Sequence, residues 1–432
     1  MKTHAKWGIV ASILMTAAPP IQLAAQGQTQ LGKKQIRYVV KALSTLGGTQ
    51  GGANGVPNNG SVAGWSNLSG DQTEHAVLWR GQTTIDLGTL GGANSASGFP
   101  IKNNEVVAGN SQTSQTDPLN ENFCTFSSYT TYLCRGFRWQ DGTMTALPTL
   151  GGNNSWATVV NRRGQIAGFA ETSTHDPSCI APQLLDFEAV VWGPHEGDMQ
   201  ALPPFPGDAI GSAFGLNDKG QVVGASGICG SWSPTIYIHA LLWQDGSVIN
   251  LGSLGGQVLN AALFINNHGE VVGASDLPGD LAYHAFLWTK DDGMRDLGTL
   301  PGDAVSTAES INEQHQIVGA SCDSNGNCRA ALWQNGTVAD LNSLVLPGTS
   351  LYLLNVSDIN DRGEIAGYAY DARTGDSPGF LAIPCDAEHA EVEACTGQDG
   401  TAAQDESLEV HKIILPQHVR AMLQQRAGIG RR

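Results

Sequence analysis

Charge is scarce in this chain, and basic charge scarcer still. Asp, Glu, Lys and Arg make up 15% of 432 residues, with 40 acidic against 23 basic side chains and a formal net charge of −17. An acidic body repels phosphate backbones and anionic headgroups, which argues against nucleic acid or a membrane surface as a general partner. Long apolar runs are missing too. Residues 7–18 form a mostly apolar stretch, too short to cross a bilayer, behind the basic Lys2, His4 and Lys6. With Leu23-Ala24-Ala25 after it, this is the pattern of a secretory signal peptide over residues 1–25, cleaved after Ala25. Losing Lys2 and Lys6 would take the net charge to −19. No Cys stands near that site, so no lipid anchor is expected. The mature protein is expected to be secreted, extracellular or periplasmic, with no transmembrane segment.

Signatures of chemistry are missing as well. There is no GxSxG elbow, no HExxH and no Walker-type loop. No CxxC pair occurs, and the His and Cys spacing does not resemble a zinc site, so no metal is expected. No DxDxDG calcium loop occurs. Calcium could enter only if oxygens from several loops converged, as from the Pro-Gly-Asp triplets ending at Asp208, Asp280 and Asp303. Such aspartates more often bond their own turn.

What is present is repetition. A phrase clearest as Asp86-Leu87-Gly88-Thr89-Leu90-Gly91-Gly92 recurs with its first Leu at 43, 87, 147, 202, 251, 297 and 341. A period of 44 to 60 residues marks one supersecondary unit used again and again. The fifth unit shows four strand-like runs, near 260–266, 270–275, 284–288 and 294–297. The second run recurs as Val-Val-Gly or Ile-Ala-Gly, and the third ends in Trp at 79, 139, 192, 243, 288 and 333. A Trp at a fixed strand position is most simply a packing residue between units. The abundant Gly (54 residues) suits short strands and tight turns. Asn-x-x-Gly, at 161–164, 217–220, 266–269 and 360–363, is turn chemistry.

Four short antiparallel strands per unit, seven times, predict an all-β seven-bladed β-propeller over residues 36–385. The seventh unit lacks a fourth strand, while a spare strand stands at 36–43 in the phase of one. That strand is expected to complete the last blade and close the ring. Residues 26–35 are then a linker. Residues 386–432 are expected to be a flexible tail with a short amphipathic helix within 415–427, free or weakly docked.

Eight Cys allow 105 pairings. Repeat phase selects Cys124 with Cys134, Cys179 with Cys229, Cys322 with Cys328, and Cys385 with Cys395. Six of them fall in loops joining second to third strands. Those loops share a face with the crossovers between blades and hold most of the length variation, at 110–134, 169–187 and 225–238. Variable loops on a rigid scaffold are the usual place for recognition. Trp65, Phe126, Tyr129, Tyr132, Trp232 and Tyr237 are the candidate ligand contacts, with packing under the disulfides as the alternative. Asp176, Asp186 and Glu188 form the best acidic group for paired-carboxylate chemistry, against a solvated acidic loop.

The runs His75-Ala76-Val77-Leu78-Trp79, His239-Ala240-Leu241-Leu242-Trp243 and His284-Ala285-Phe286-Leu287-Trp288 resemble the HAF family of bacterial extracellular repeat proteins. The resemblance covers about residues 36–385 and implies an exported bacterial protein; it carries over no catalytic residue. The His becomes Arg135, Glu188, Arg329 and Pro378 elsewhere, which excludes seven equivalent ligand sites. The expectation is a monomeric binding module for a glycan or protein, without cofactor. The alternatives are a secreted carbohydrate-active hydrolase or lyase and a structural component of the cell envelope.

Overall fold

The computed structural model describes residues 36–98, 106–124, 126, 131–195, 197–230, 236–392, 395 and 413–426. The expected signal peptide and linker, and residues 396–412 of the tail, lie outside the described residues.

Seven sheets of four antiparallel strands form the body. Blade 1 is Gly47–Gly55, Val62–Leu68, Glu74–Arg80 and Thr83–Asp86. Blade 2 is Gly91–Ser97, Val107–Thr116, Tyr132–Gln140 and Thr143–Ala146; blade 3 is Gly151–Val160, Ile166–His175, Leu185–Trp192 and Met199–Leu202. Blade 4 is Ile210–Leu216, Val222–Gly227, Tyr237–Gln244 and Ser247–Asn250; blade 5 is Asn260–Ile265, Val271–Asp276, Tyr283–Thr289 and Gly293–Asp296. Blade 6 is Val305–Ile311, Ile317–Cys322, Cys328–Gln334 and Thr337–Asp340. Blade 7 is Leu351–Ile359, Ile365–Asp371 and Gly379–Pro384, completed by Tyr38–Ala42 from the other end of the chain, in register from Tyr38↔Pro384 to Ala42↔Phe380. Each blade packs on the next, and blade 7 on blade 1, so the ring is closed. This is the seven-bladed β-propeller the repeat predicts.

The repeated residues now have reasons. Trp79, Trp139, Trp192, Trp243 and Trp333 are buried. Four of them also donate an indole N–H to the crossover entering their own blade, at Ser44 O (2.8 Å), Pro148 O (3.0 Å), Pro203 O (2.7 Å) and Leu297 O (3.0 Å). The phrase and the Trp therefore hold one another. The Ser that follows Val-Gly-Ala belongs to the same system: Ser275 and Ser321 accept the N–H of Leu254 (2.8 Å) and Leu300 (3.0 Å).

Six inner strands carry a β-bulge at one place, the extra residue being Asn54, Thr158, Phe214, Leu263, Glu309 or Ser357. The second-strand Gly pairs with the residue just before the bulge. A Cβ on Gly224, Gly273 or Gly319 would lie 1.9–2.0 Å from an inner-strand carbonyl oxygen, so only Gly fits.

The variable insertions differ from expectation. Strands run further into them, to Thr116 and His175, so the loops proper are 117–131, 176–184 and 228–236. The tail differs as well. The helix Gln417–Arg426 is docked on the propeller, with Leu415, Val419 and Leu423 buried against Tyr352 and Leu354. Asn327 Oδ1 accepts the Leu415 N–H (3.0 Å), and Arg420 donates to Asn325 O (3.1 Å). An apolar helix stripe finds an apolar patch on the loop face, which overcomes the expected freedom of this segment.

Candidate functional site

All four disulfides selected by repeat phase are present: Cys124–Cys134, Cys179–Cys229, Cys322–Cys328 and Cys385–Cys395. The second joins the loops of blades 3 and 4. Beside it Ile180 donates its N–H to Cys229 O (2.9 Å). Backbone pairing and a covalent bond thus fuse two insertions into one unit.

Most of the aromatics read as ligand contacts turn inward. Trp65 is buried, tilted against Tyr368 at 6.3 Å between ring centres. Phe126 is buried among Phe123, Cys124 and Cys134. Tyr237 is buried edge-on to Phe214 at 5.4 Å, its hydroxyl 3.2 Å from Ser212 Oγ, and burial pushes its phenol upward. Packing, the alternative reading, holds for these three: Phe126 and Tyr237 supply the local core that long insertions need, and Trp65 is a core residue of the second strand of blade 1. Tyr129 and Trp232 lie outside the described residues. Tyr132 alone of the four described is open, at 43% exposure.

The exposed apolar side chains are others. Ile180 (53%), Ile228 (44%) and Leu281 (90%) stand on second-to-third-strand loops of blades 3, 4 and 5. The only signal in the sequence was that Ile180 follows Cys179 and Ile228 precedes Cys229. A residue beside a bridged Cys is held where it stands, whatever its polarity.

The acidic candidates do meet. Asp186 is pushed up to about 6 by burial, by the Asp176 charge and by hydrogen bonding to Asp176; Glu188 adds to it. Hydrogen bonding from Ser178 holds Asp176 below the usual range. Asp186 Oδ1 also lies 3.9 Å from Cys179 Sγ. Carboxylates joined by a hydrogen bond are closer than the roughly 5 Å or more that glycosidic cleavage requires between an acid and its partner.

A second acidic group was not foreseen. Glu171 and Glu121 are buried together under the insertions of blades 2 and 3. Glu171 Oε2 accepts from Asn153 N (3.0 Å) and Asn154 N (2.8 Å), and Glu121 Oε1 from Leu184 N (2.6 Å) and Leu185 N (2.9 Å). Gln183 Nε2 bridges them, at 2.9 Å from Glu171 Oε1 and 3.2 Å from Glu121 Oε1. Burial, with the Glu121 charge adding to it, pushes Glu171 up to about 8, and burial, with the Asp117 charge adding to it, pushes Glu121 upward. These groups fasten loop backbone and leave no lone pair turned to solvent for a ligand.

The three Pro-Gly-Asp aspartates have separate protein partners. Asp208 accepts from Ser226 Oγ and faces His239 Nδ1 (2.7 Å), Asp280 accepts Gln257 N (2.7 Å), and Asp303 holds Arg329 (2.8 Å). They stand on different blades and do not converge. The histidines that open the His-Ala runs are paired in the same way: His75 with Asp86 (2.9 Å) and His284 with Asp296 (2.9 Å). Where Arg replaces His, at 329, it bonds Asp303 and Asp340. In these blades the side chain at this position bonds the aspartates around the phrase.

The opposite face is more regular. In the four Asn-x-x-Gly turns and in the turn of blade 6 that begins at Asn312, the Asn Nδ2 donates to the turn carbonyl of the next blade: Asn161 to Asn217 O, Asn217 to Asn266 O, Asn266 to Asn312 O, Asn312 to Asn360 O, and Asn360 to Pro57 O, at 3.0–3.3 Å. One face is thus a hydrogen-bonded rim and the other carries the diverse loops.

No family profile matches the chain, and no curated protein matches it. Solved structures similar to it are propellers or contain them. The β-propeller domain of the Trilobed protease from Pyrococcus furiosus is 10% identical over 68% of this chain and 81% of its own, with a TM-score of 0.41. TolB from Acinetobacter baumannii is 11% identical over 65% of this chain and 63% of its own, with a TM-score of 0.37. A prolyl endopeptidase structure is 11% identical over 81% of this chain and 50% of its own, with a TM-score of 0.46. At such identity the likeness concerns fold alone.

Proposed function

We propose that this protein is an exported bacterial propeller of the HAF kind that binds a protein partner through the loops of blades 2 to 4. The observation that carries this is the exposure of Ile180 and Ile228 on two insertions locked together by Cys179–Cys229. Aliphatic side chains held open on a pre-ordered surface gain free energy when a partner covers them, and the disulfide has already removed part of the ordering cost. Export fits the four disulfides and the absence, among the described residues, of a helix long and apolar enough to cross a membrane. Protein is favoured over glycan because the aromatics that could stack on sugar rings are, Tyr132 apart, buried where described.

The test is retention of secreted proteins on the immobilised mature chain, with a glycan array in parallel. Ile180→Ser/Ile228→Ser is expected to weaken specific retention at least tenfold while leaving the fold intact. Retention unchanged by the pair would refute the assigned surface. A carbohydrate lyase, which would use a single acid and not the spaced pair of a hydrolase, is the second reading, favoured by the partly buried Asp186 beside Asp176. Turnover of a polysaccharide pool that disappears in Asp186→Asn would establish it in place of the first.

A further inference from the structure

Among the described turns of the rim opposite the loops, one lacks the closing glycine. At the fourth position of Asn-x-x-Gly stand Gly164, Gly220, Gly269 and Gly363, with φ between 75° and 84°. Blade 6 has His315 there instead, at φ 61°. A non-glycine residue in the left-handed region costs on the order of 1 kcal/mol, and such outliers gather where a side chain has a task. The position aims a side chain at the previous blade. His315 Nδ1 accordingly lies 2.7 Å from Glu270 Oε2. Blade 5 answers with a second imidazole: His268 Nδ1 lies 3.1 Å from Glu313 Oε2, and the two rings are 5.2 Å apart between centres. His268, Glu270 and His315 each offer a ligand atom within 4.8 Å of the others.

The carboxylates are held from below. Glu270 Oε2 accepts Asn266 Nδ2 (2.6 Å), and Glu313 Oε1 accepts Asn267 N (3.0 Å), leaving Glu313 Oε2 toward the histidines. Both glutamates are half-buried while both imidazoles are exposed. Two anchored carboxylates and two turnable imidazoles form a mixed nitrogen and oxygen donor set. Zinc-class ions prefer that set, while calcium and magnesium prefer oxygen alone. We propose that His268, Glu270 and His315, with Glu313 as the fourth ligand, bind one divalent transition-metal ion of the zinc class and so clamp blade 5 to blade 6.

The experiment is equilibrium dialysis of the tag-free mature protein against Zn2+, with elemental analysis, and with Co2+ as a spectroscopic reporter. One equivalent of zinc and the visible bands of four-coordinate cobalt are expected. His268→Gln and His315→Gly should each weaken binding at least tenfold. The second variant restores the glycine of the other turns, so it is expected to fold at least as well as the parent, and circular dichroism will verify this. Absence of zinc binding by the parent overturns the proposal. So does full binding by the His268→Gln/His315→Gly double variant, or displacement of zinc by equimolar calcium.

Discussion

Buried carboxylates make this protein's stability depend on pH in an unusual direction. Burial raises Glu171 from an ordinary 4.5 to about 8, with Glu121 adding to the shift, and burial alone raises Glu309 to about 7. The native state therefore keeps protons that the unfolded chain releases above about 4.5. Stability is highest at the acid end of that window and falls as pH rises to about 8, where it levels off. Thermal melts from pH 5 to 9 should show this decline, and Glu171→Gln should flatten much of it; a melting temperature that climbs over this range would contradict it. At the same scale, Asn266→Ala removes a turn cap and a blade-to-blade bond together. It is expected to cost about 1–3 kcal/mol in denaturant unfolding, more than a surface Asn elsewhere.

Blades were legible because their defining residues act locally. The turn Asn, the strand-ending Trp and the phrase repeat with the period of the structure, so phase alone located the disulfides and the closing strand. The second-strand Gly was visible in the sequence but not its cause. Its constraint comes from a bulge on the neighbouring inner strand, and a run such as Asn260-Ala261-Ala262-Leu263-Phe264 does not announce an extra residue. Gly273→Ala would place a Cβ 2.0 Å from Ala261 O, so it should cost about 3 kcal/mol, as loss of stability in chemical unfolding. Site chemistry was hidden for a related reason. Glu121 meets Glu171, and His268 meets His315, only because consecutive blades stand side by side. Exposed Ile180 and buried Tyr237 also inverted what residue type alone suggests, because the disulfides and local cores decided which side chain reached solvent.

At the scale of the whole molecule, the ring depends on one short strand. Removing residues 36–43 would leave the Gly379–Pro384 strand as an open edge and strip the packing of Tyr38, buried against Leu344 and Phe380. The truncated protein is expected to melt at least 10 °C lower for a loss of several kcal/mol, or to associate edge to edge in size-exclusion chromatography. The same strand sets an order of events. Tyr38–Ala42 is made before every other strand of the propeller, yet its partner is the third strand of the last blade. It must wait, unpaired, while nearly the whole propeller is synthesised, and the loop it finally closes is almost as long as the domain. The last step of folding is thus performed by the propeller's oldest strand, and until then each nascent molecule carries a strand competent to pair with a neighbour's open blade.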